Sequence, residues 1–191
     1  AIKAYDVNSL SLQNVTITGY EDYGVYTDNC DIALNRVEIT ANHNGIYSNN
    51  STVTMLNATL ADNVGWGISN ESGTSFGNNN YYEITNSIIW NNQINLQAPT
   101  SYDFQMLDIN YSNYGDSNGN GGQDAINSEG YVYVTWGANN LDGVDPLFVA
   151  SDDFALQSNS PCIDAGNPDL NGDGIDDITD YYGNAPDLGF Y

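Results

Sequence analysis

Gly24-Val25-Tyr26-Thr27, Gly45-Ile46-Tyr47-Ser48 and Gly67-Ile68-Ser69-Asn70 are one short phrase written three times, at shifts of 21 and 22 residues. A second phrase keeps step with it: Leu12-Gln13-Asn14-Val15-Thr16-Ile17, Leu34-Asn35-Arg36-Val37-Glu38-Ile39, Met55-Leu56-Asn57-Ala58-Thr59-Leu60 and Ile84-Thr85-Asn86-Ser87-Ile88-Ile89. Repetition at this period marks a repeat architecture. Inside each copy the residues alternate: Leu10, Leu12, Val15 and Ile17 go one way, Ser9, Ser11 and Thr16 the other. That is the period of a strand. The phase slips between Leu12 and Val15, so Gln13-Asn14 turns a corner. A unit of about 21 residues holds three short strands and their turns, and coiling the units stacks each strand on its counterpart about 4.8 Å away in parallel sheets. The expectation is an all-β solenoid with Val25, Ile46 and Ile68 stacked inside. Asn14, Asn57 and Asn86 should stack at one turn, interrupted by Arg36, with their amides bonded up the ladder.

The longer spacing before the fourth copy reflects an insertion around Gly73 to Asn80. A polar, glycine-rich stretch from Gly115 to Asp124 reads as a loop thrown off a rung, after which Tyr131 to Trp136 returns as a strand. The repeats over Ala1 to Leu96 resemble right-handed parallel β-helix proteins, a group that includes pectate lyases and many bacterial surface proteins. Two later segments, Asn140 to Val149 and Asp153 to Gly166, resemble the closing segments of secreted bacterial β-helix proteins, and Asp187-Leu188-Gly189-Phe190-Tyr191 is similar to the D-x-G-x-Y stretch that often ends them. The resemblance implies a right-handed parallel β-helix with an irregular C-terminal cap, in an extracellular or cell-surface bacterial protein. The division expected is β-helix rungs over 1–110, then last rungs, inserted loop and cap over 111–191. Because Ala1 already lies inside the repeat, further rungs are expected upstream.

Composition narrows the partners. Asp and Glu number 25 against two basic residues, Lys3 and Arg36, for a formal net charge of −23. Such a chain repels phosphate backbones and anionic lipid heads and attracts divalent cations, so nucleic acid is excluded as a partner. No run approaches the ~18 apolar residues of a membrane span. Fifteen Tyr, five Phe and three Trp are too many for a solvated, disordered chain. Cys30 and Cys162 lie several rungs apart and are expected to be buried and unpaired, since a disulfide needs Cα atoms within about 7 Å.

The sharpest chemical signal is Asp169-Leu170-Asn171-Gly172-Asp173-Gly174-Ile175-Asp176-Asp177-Ile178-Thr179-Asp180. Calcium takes about six to eight hard oxygens, and a twelve-residue loop supplies them from positions 1, 3, 5, 7, 9 and 12, with glycine at the sixth for a sharp turn. Here those are Asp169, Asn171, Asp173, the carbonyl of Ile175, Asp177 and Asp180, with Gly174 in the glycine place. The loop resembles that of dockerin modules and EF-hands, which implies Ca2+ as cofactor. It departs from dockerins in being single and in being followed by Tyr181-Tyr182-Gly183-Asn184-Ala185-Pro186, which breaks a helix. Calcium, but not a dockerin's partner, is therefore carried over.

No convergent catalytic set is apparent. Lys3, Arg36 and His43 fall at three separate places in the repeat, whereas lyase chemistry needs a positioned base. Paired-acid hydrolysis has the candidates Asp22, Asp28 and Glu71, but acids are everywhere in this chain. Tyr26 and Tyr47 occupy equivalent outward positions, with Lys3 below and Ser69 above; the favoured reading is that the rings stabilise the ladder by stacking, and the alternative is that they offer a flat face to a sugar. The function expected is a calcium-binding extracellular module with a structural, adhesive or carbohydrate-binding role, its partner a polysaccharide or cell-surface glycan. The alternatives are the C-terminal part of a carbohydrate-active enzyme with catalytic rungs upstream, and an architectural spacer or self-associating filament unit.

Overall fold

The computed structural model describes residues 1–70, 79–92, 94–96, 104–121 and 131–190. They contain no helix and coil into a parallel β-solenoid of about five turns. The first face is a five-stranded parallel sheet of β1 (Ile2–Tyr5), β3 (Tyr23–Asp28), β5 (Asn44–Asn49), β8 (Trp66–Ser69) and β11 (Ile94–Leu96). Two long strands, β2 (Ser9–Thr18) and β4 (Asp31–Thr40), each run over two faces. The leading half of β4 continues into β6 (Thr52–Leu56), β9 (Asn80–Thr85), β12 (Phe104–Asn110) and β14 (Tyr131–Trp136), the second face. Its trailing half continues into β7 (Thr59–Ala61), β10 (Ile88–Trp90), β13 (Asn113–Gly115) and β15 (Leu141–Asp142), the third. An antiparallel hairpin, β16 (Phe148–Ala150) with β17 (Asp153–Leu156), follows.

The register is the one the repeat dictates. Ile2, Val25, Ile46 and Ile68 are successive partners on the first face, and all but the first-rung residue are fully buried. Each corner is turned by a residue in the left-handed region: Asp6, Asn29 and Asn50 at the first, Asn14, Arg36, Asn57, Asn86 and Tyr111 at the second, Gly19, Ala41, Asp62 and Asn91 at the third. Asn and Asp tolerate this conformation best, which explains why they recur there. The repeated glycine has a different cause: a Cβ on Gly45 would stand 2.5 Å from the Gly67 carbonyl oxygen in the next rung.

The expected amide ladder lies one corner away from where the sequence placed it. Asn14, Asn57 and Asn86 do turn their corner with positive φ. The buried amides bonded from rung to rung are those of Asn42, Asn63 and Asn92, each following a third-corner residue, while at the exposed first corner Asn50 Nδ2 donates to Asn29 Oδ1 and Asn29 Nδ2 to Asp6. Asn63 Oδ1 accepts the Asn42 backbone N–H at 3.0 Å, and Asn92 Oδ1 accepts that of Asn63 at 3.1 Å. Their Nδ2 groups donate to the carbonyls of Ile17, Ile39 and Leu60. The reason is polarity: a buried corner leaves backbone groups that a buried side chain must satisfy; at the second corner the Ser87 and Ser112 hydroxyls accept the Ala58 and Ser87 N–H groups, and the side chain of Asn86 turns outward to hold Asn167.

The irregular C-terminal segment lies along the third face as a clasp. Cys162, Phe154 and Leu188 pack on Ala61, Ile88 and Trp90, the outward side chains of that face. Asn113 meets the Cys162 sulfur at 3.5 Å, Asn86 brackets Asn167, Thr59 accepts the Phe190 N–H, and Arg36 pairs with Asp180. One irregular segment thus ties four successive rungs. Within it, Pro161–Gly166 is held against the chain's last residues: Leu188 N–H bonds Cys162 O at 2.9 Å, and Gly166 N–H bonds Pro186 O at 2.7 Å.

Candidate functional site

Three places carry candidate chemistry. The first is the acidic loop, which springs from the clasp beside Arg36. Pro168 O accepts the N–H groups of Asp177 and Ile178 and closes the loop's neck. Inside it the acids organise the backbone. Asp169 accepts the N–H groups of Gly172, Asp173 and Gly174; Asp177 accepts those of Leu170 and Asn171; Asn171 and Asp173 each accept the N–H two residues on. Gly172 and Gly174 take φ of 75° and 86°, so the sixth position uses the freedom expected of it. Asp180 stands apart: Arg36 grips it through two bonds of 2.6 and 2.5 Å, which hold its carboxyl below the usual range. Among the described residues no three carboxylate, His or Cys side chains converge on one point. The side chains at the first, third, fifth and ninth positions of the loop, Asp169, Asn171, Asp173 and Asp177, are spent on the loop's own backbone amides, and the twelfth, Asp180, is engaged by Arg36.

The second place is the tyrosine row on the first face. Tyr26 and Tyr47 are register partners, with Lys3 and Ser69 on either side. Their rings stack at 4.4 Å and 10°; Tyr5 leans on Tyr26 at 5.1 Å and Tyr23 touches both. Tyr47 is buried at 6% exposure and Tyr26 is half-buried, so Tyr5, at 50%, is the ring most open to solvent. Lys3 lies 5.8 Å from the Tyr26 centroid and 3.9 Å from Asp22.

The third place is on the second face, and the sequence reading did not single it out. Glu83 and Asp108 are register partners on adjacent strands. The Tyr81 hydroxyl donates to Asp108 at 2.5 Å, and this bond, with burial and the charges of both acids, pushes the phenol up to about 12. These three, with Thr54, Asn110 and Leu170 of the acidic loop, line a cleft of about 270 Å³. The signal was present: Asp108-Ile109-Asn110-Tyr111-Ser112 falls in the repeat exactly where Glu83-Ile84-Thr85-Asn86-Ser87 does.

The remaining candidates stay scattered. Asp28 accepts the Asn49 amide, His43 is exposed beyond the third corner, and Glu71 lies outside the described residues, as do most of the Gly73–Asn80 insertion, part of the Gly115–Asp124 loop and Tyr191. Cys30 and Cys162 are both buried and unpaired. No helix among the described residues is long and apolar enough to cross a membrane. Comparison with protein-family models, curated proteins and solved structures gives no match for this chain.

Proposed function

We propose that this chain is a calcium-binding β-solenoid module of the bacterial cell exterior, with a structural or adhesive role. The observation that carries the proposal is the acidic loop: Asp169, Asn171, Asp173 and Asp177 crowd a glycine turn that is anchored to the solenoid through Arg36 and Asn86. A bound cation supplies charge neutralisation there. The chain's part is to hold the carboxylates by their own loop amides and to tether the loop to the second corner. Asp180 completes the donor set only by releasing Arg36. The extracellular assignment rests on the resemblance to secreted β-helix proteins and on the acidic composition.

The test is thermal unfolding in calcium, in magnesium and in chelator, with Asp173→Ala alongside. A ligand that binds only the folded state stabilises it by about 2.7 kcal/mol at a hundredfold excess over Kd. Calcium should raise the wild-type melting temperature, magnesium should substitute poorly because it demands tighter octahedral geometry, and the variant should lose most of the effect. An unchanged wild type in chelator would remove the metal from the proposal.

A carbohydrate partner at the first face is a second reading, favoured by the stacked Tyr26–Tyr47 pair continued by the open Tyr5 ring. It requires Tyr5→Ala and Tyr26→Ala to weaken glycan retention in a pull-down while melting is little changed. Tyr47→Ala, at a buried ring, should lower stability by about 3 kcal/mol or more; retention that tracks stability across all three variants would mean the rings are only structural.

A further inference from the structure

The clasp does not lie flush on the coil. Where it passes the second corner it roofs a cavity of about 310 Å³, floored by Arg36 and Asn57 of the coil. That volume is at the lower end of ligand pockets, about 300–1,000 Å³. Asn57 is 7% exposed. Its backbone is committed: φ is 49°, and its N–H donates to Thr85 O at 3.2 Å. Its side chain is not: Oδ1 is buried and has no hydrogen-bond partner. One rung on, the equivalent Asn86 spends both ends of its amide on Asn167. The clasp thus satisfies one corner amide and leaves its neighbour unmet against a cavity, which costs free energy unless something else meets it. The clasp side of the cavity carries Asp187, Tyr181, Phe190 and Tyr182. Asp187 is half-buried; its Oδ1 accepts the Asp164 N–H at 2.8 Å, and nothing among the described residues donates to its Oδ2. Burial raises its carboxyl, and no cation among the described residues offsets this. Arg36 is already neutralised, bonded to Asp180 at 2.6 and 2.5 Å. Tyr182, 99% exposed, stands at the rim.

From this arrangement we propose that the cavity under the clasp takes an organic cation bearing N–H donors, an alkylammonium or a guanidinium group. Its N–H groups meet Asp187 Oδ2 and Asn57 Oδ1, and the bond to the carboxylate is charge-assisted and stronger than a neutral one. An amide can turn either end to a ligand; Asp187, an acceptor only, decides for a donor. An anion would meet that carboxylate while the cavity's own cation is spent on Asp180. A bare metal ion would find one carboxylate and one amide oxygen, short of the six or so hard oxygens it takes. The aromatic side of the cavity suits the same ligand: a ring face attracts a cation, and an alkyl stem packs against it. A chain of net charge −23 draws such cations to its surface. A basic side chain of a partner protein and a free small amine share this chemistry. The site does not rest on the calcium reading, and the two fail independently.

The experiment is titration calorimetry of the full chain in chelator, at about 0.15 M ionic strength, where attraction to distant surface charge is screened. The probes are n-butylammonium, n-butylguanidinium, tetramethylammonium, acetate, N-acetyl-lysine amide and N-acetyl-arginine amide. The N–H-bearing cations should saturate a single site. Tetramethylammonium has the charge without the donors and should bind about tenfold more weakly or worse; acetate should not bind. A blocked amino acid that binds more tightly than its butyl counterpart assigns the site to a basic side chain of a partner protein; equal or weaker binding assigns it to a free amine. Asp187→Asn should weaken binding about tenfold or more. Asn57→Gly, which keeps the left-handed turn without the amide, and Tyr182→Ala should each weaken it several-fold. Asp152→Asn, at an exposed acid that lines no part of the cavity, should leave it unchanged. Asp187 also holds the Asp164 N–H, so if its variant melts early, Tyr182→Ala, at a ring open to solvent, decides alone. The proposal is overturned if no N–H-bearing cation saturates a site, if tetramethylammonium binds as tightly, if acetate binds, if Tyr182→Ala binds as the wild type does, or if Asp152→Asn weakens binding as much as Asp187→Asn.

Discussion

Asn63 is the residue on which the interior of the coil is most exposed to a single change. Its side chain makes four hydrogen bonds: Oδ1 accepts the Asn42 N–H at 3.0 Å and the Asn42 Nδ2 at 3.1 Å, while Nδ2 donates to Ile39 O at 3.1 Å and to Asn92 Oδ1 at 2.8 Å. Replacing it by Ala does not cost four bonds' worth. Asn42 Nδ2 keeps Ile17 O, and Asn92 Oδ1 keeps the backbone N–H of residue 63. The Asn42 N–H loses its acceptor, and the Ile39 carbonyl loses the amide that capped it. Each orphaned buried group costs about 1–3 kcal/mol, so the variant should lose roughly 3–5 kcal/mol with the cavity included. That is a large share of the ~5–15 kcal/mol that holds a domain together. Asn57→Ala is the matched control. Asn57 is also buried and has φ of 49°, but its Oδ1 has no partner, so the loss is mainly the left-handed penalty of about 1–2 kcal/mol. The assay is urea unfolding of both variants followed by circular dichroism and Trp fluorescence. An Asn63→Ala penalty no larger than that of Asn57→Ala would show that the ladder is a consequence of the coil and not one of its supports.

Unfolding without reductant should expose both Cys30 and Cys162 to an alkylating reagent, two adducts by intact mass, while the native chain reacts slowly because burial pushes the Cys162 thiol up to about 11. The clasp should loosen in acid. Asp164 is held below its usual value by the Asn184 and Ala185 backbone N–H groups and the Asn184 amide, and Asp180 by Arg36. A carboxyl depressed in the folded state contributes stability above its unfolded value of about 4 and loses it as pH falls through the folded one. Asp187 has the opposite sign, because burial raises it, and offsets part of the loss. Limited proteolysis of the clasp between pH 5 and 2 should show the opening, and Asp164→Asn with Asp180→Asn should flatten the pH dependence. A wild-type clasp equally protected across that range would contradict the assignment.

The coil was legible because its causes are local and repeated. The glycine of the Gly24 and Gly45 phrases answers to a backbone one rung away. The phase slip at Gln13-Asn14 is the left-handed Asn14. The buried amide ladder was also written in sequence, since Asn42, Asn63 and Asn92 each follow a corner residue, but Asn recurs so often here that its chemically distinct positions are hard to separate by type. The Arg36–Asp180 pair was not legible: its partners are 144 residues apart, and nothing in either neighbourhood requires the other. Arg36 marked itself only as the arginine at a corner its counterparts give to Asn and Tyr.

The clasp did leave a trace, in the outward positions of the third face. Rung by rung these are Thr16 and Thr18, Glu38 and Thr40, Thr59 and Ala61, then Ile88 and Trp90. The first pair is exposed and every later one is buried. The side chains turn apolar along the axis as they go under cover: Ile88-Ile89-Trp90 is buried on both sides of its strand, whereas Val15-Thr16-Ile17-Thr18 alternates. A strand with two apolar sides in a solenoid whose other strands alternate implies a covering layer. The same reasoning applied to the second face gives the reverse. There the outward residues of successive rungs run Thr54, Glu83, Asp108, Thr135 beside Tyr81, Met106 and Tyr133, mixed in polarity and open to solvent at Glu83, Met106 and Tyr133. Chain of its own would cover such a face poorly, because the acids would be left without cations in a molecule that has only two, Lys3 and Arg36, both already paired on other faces.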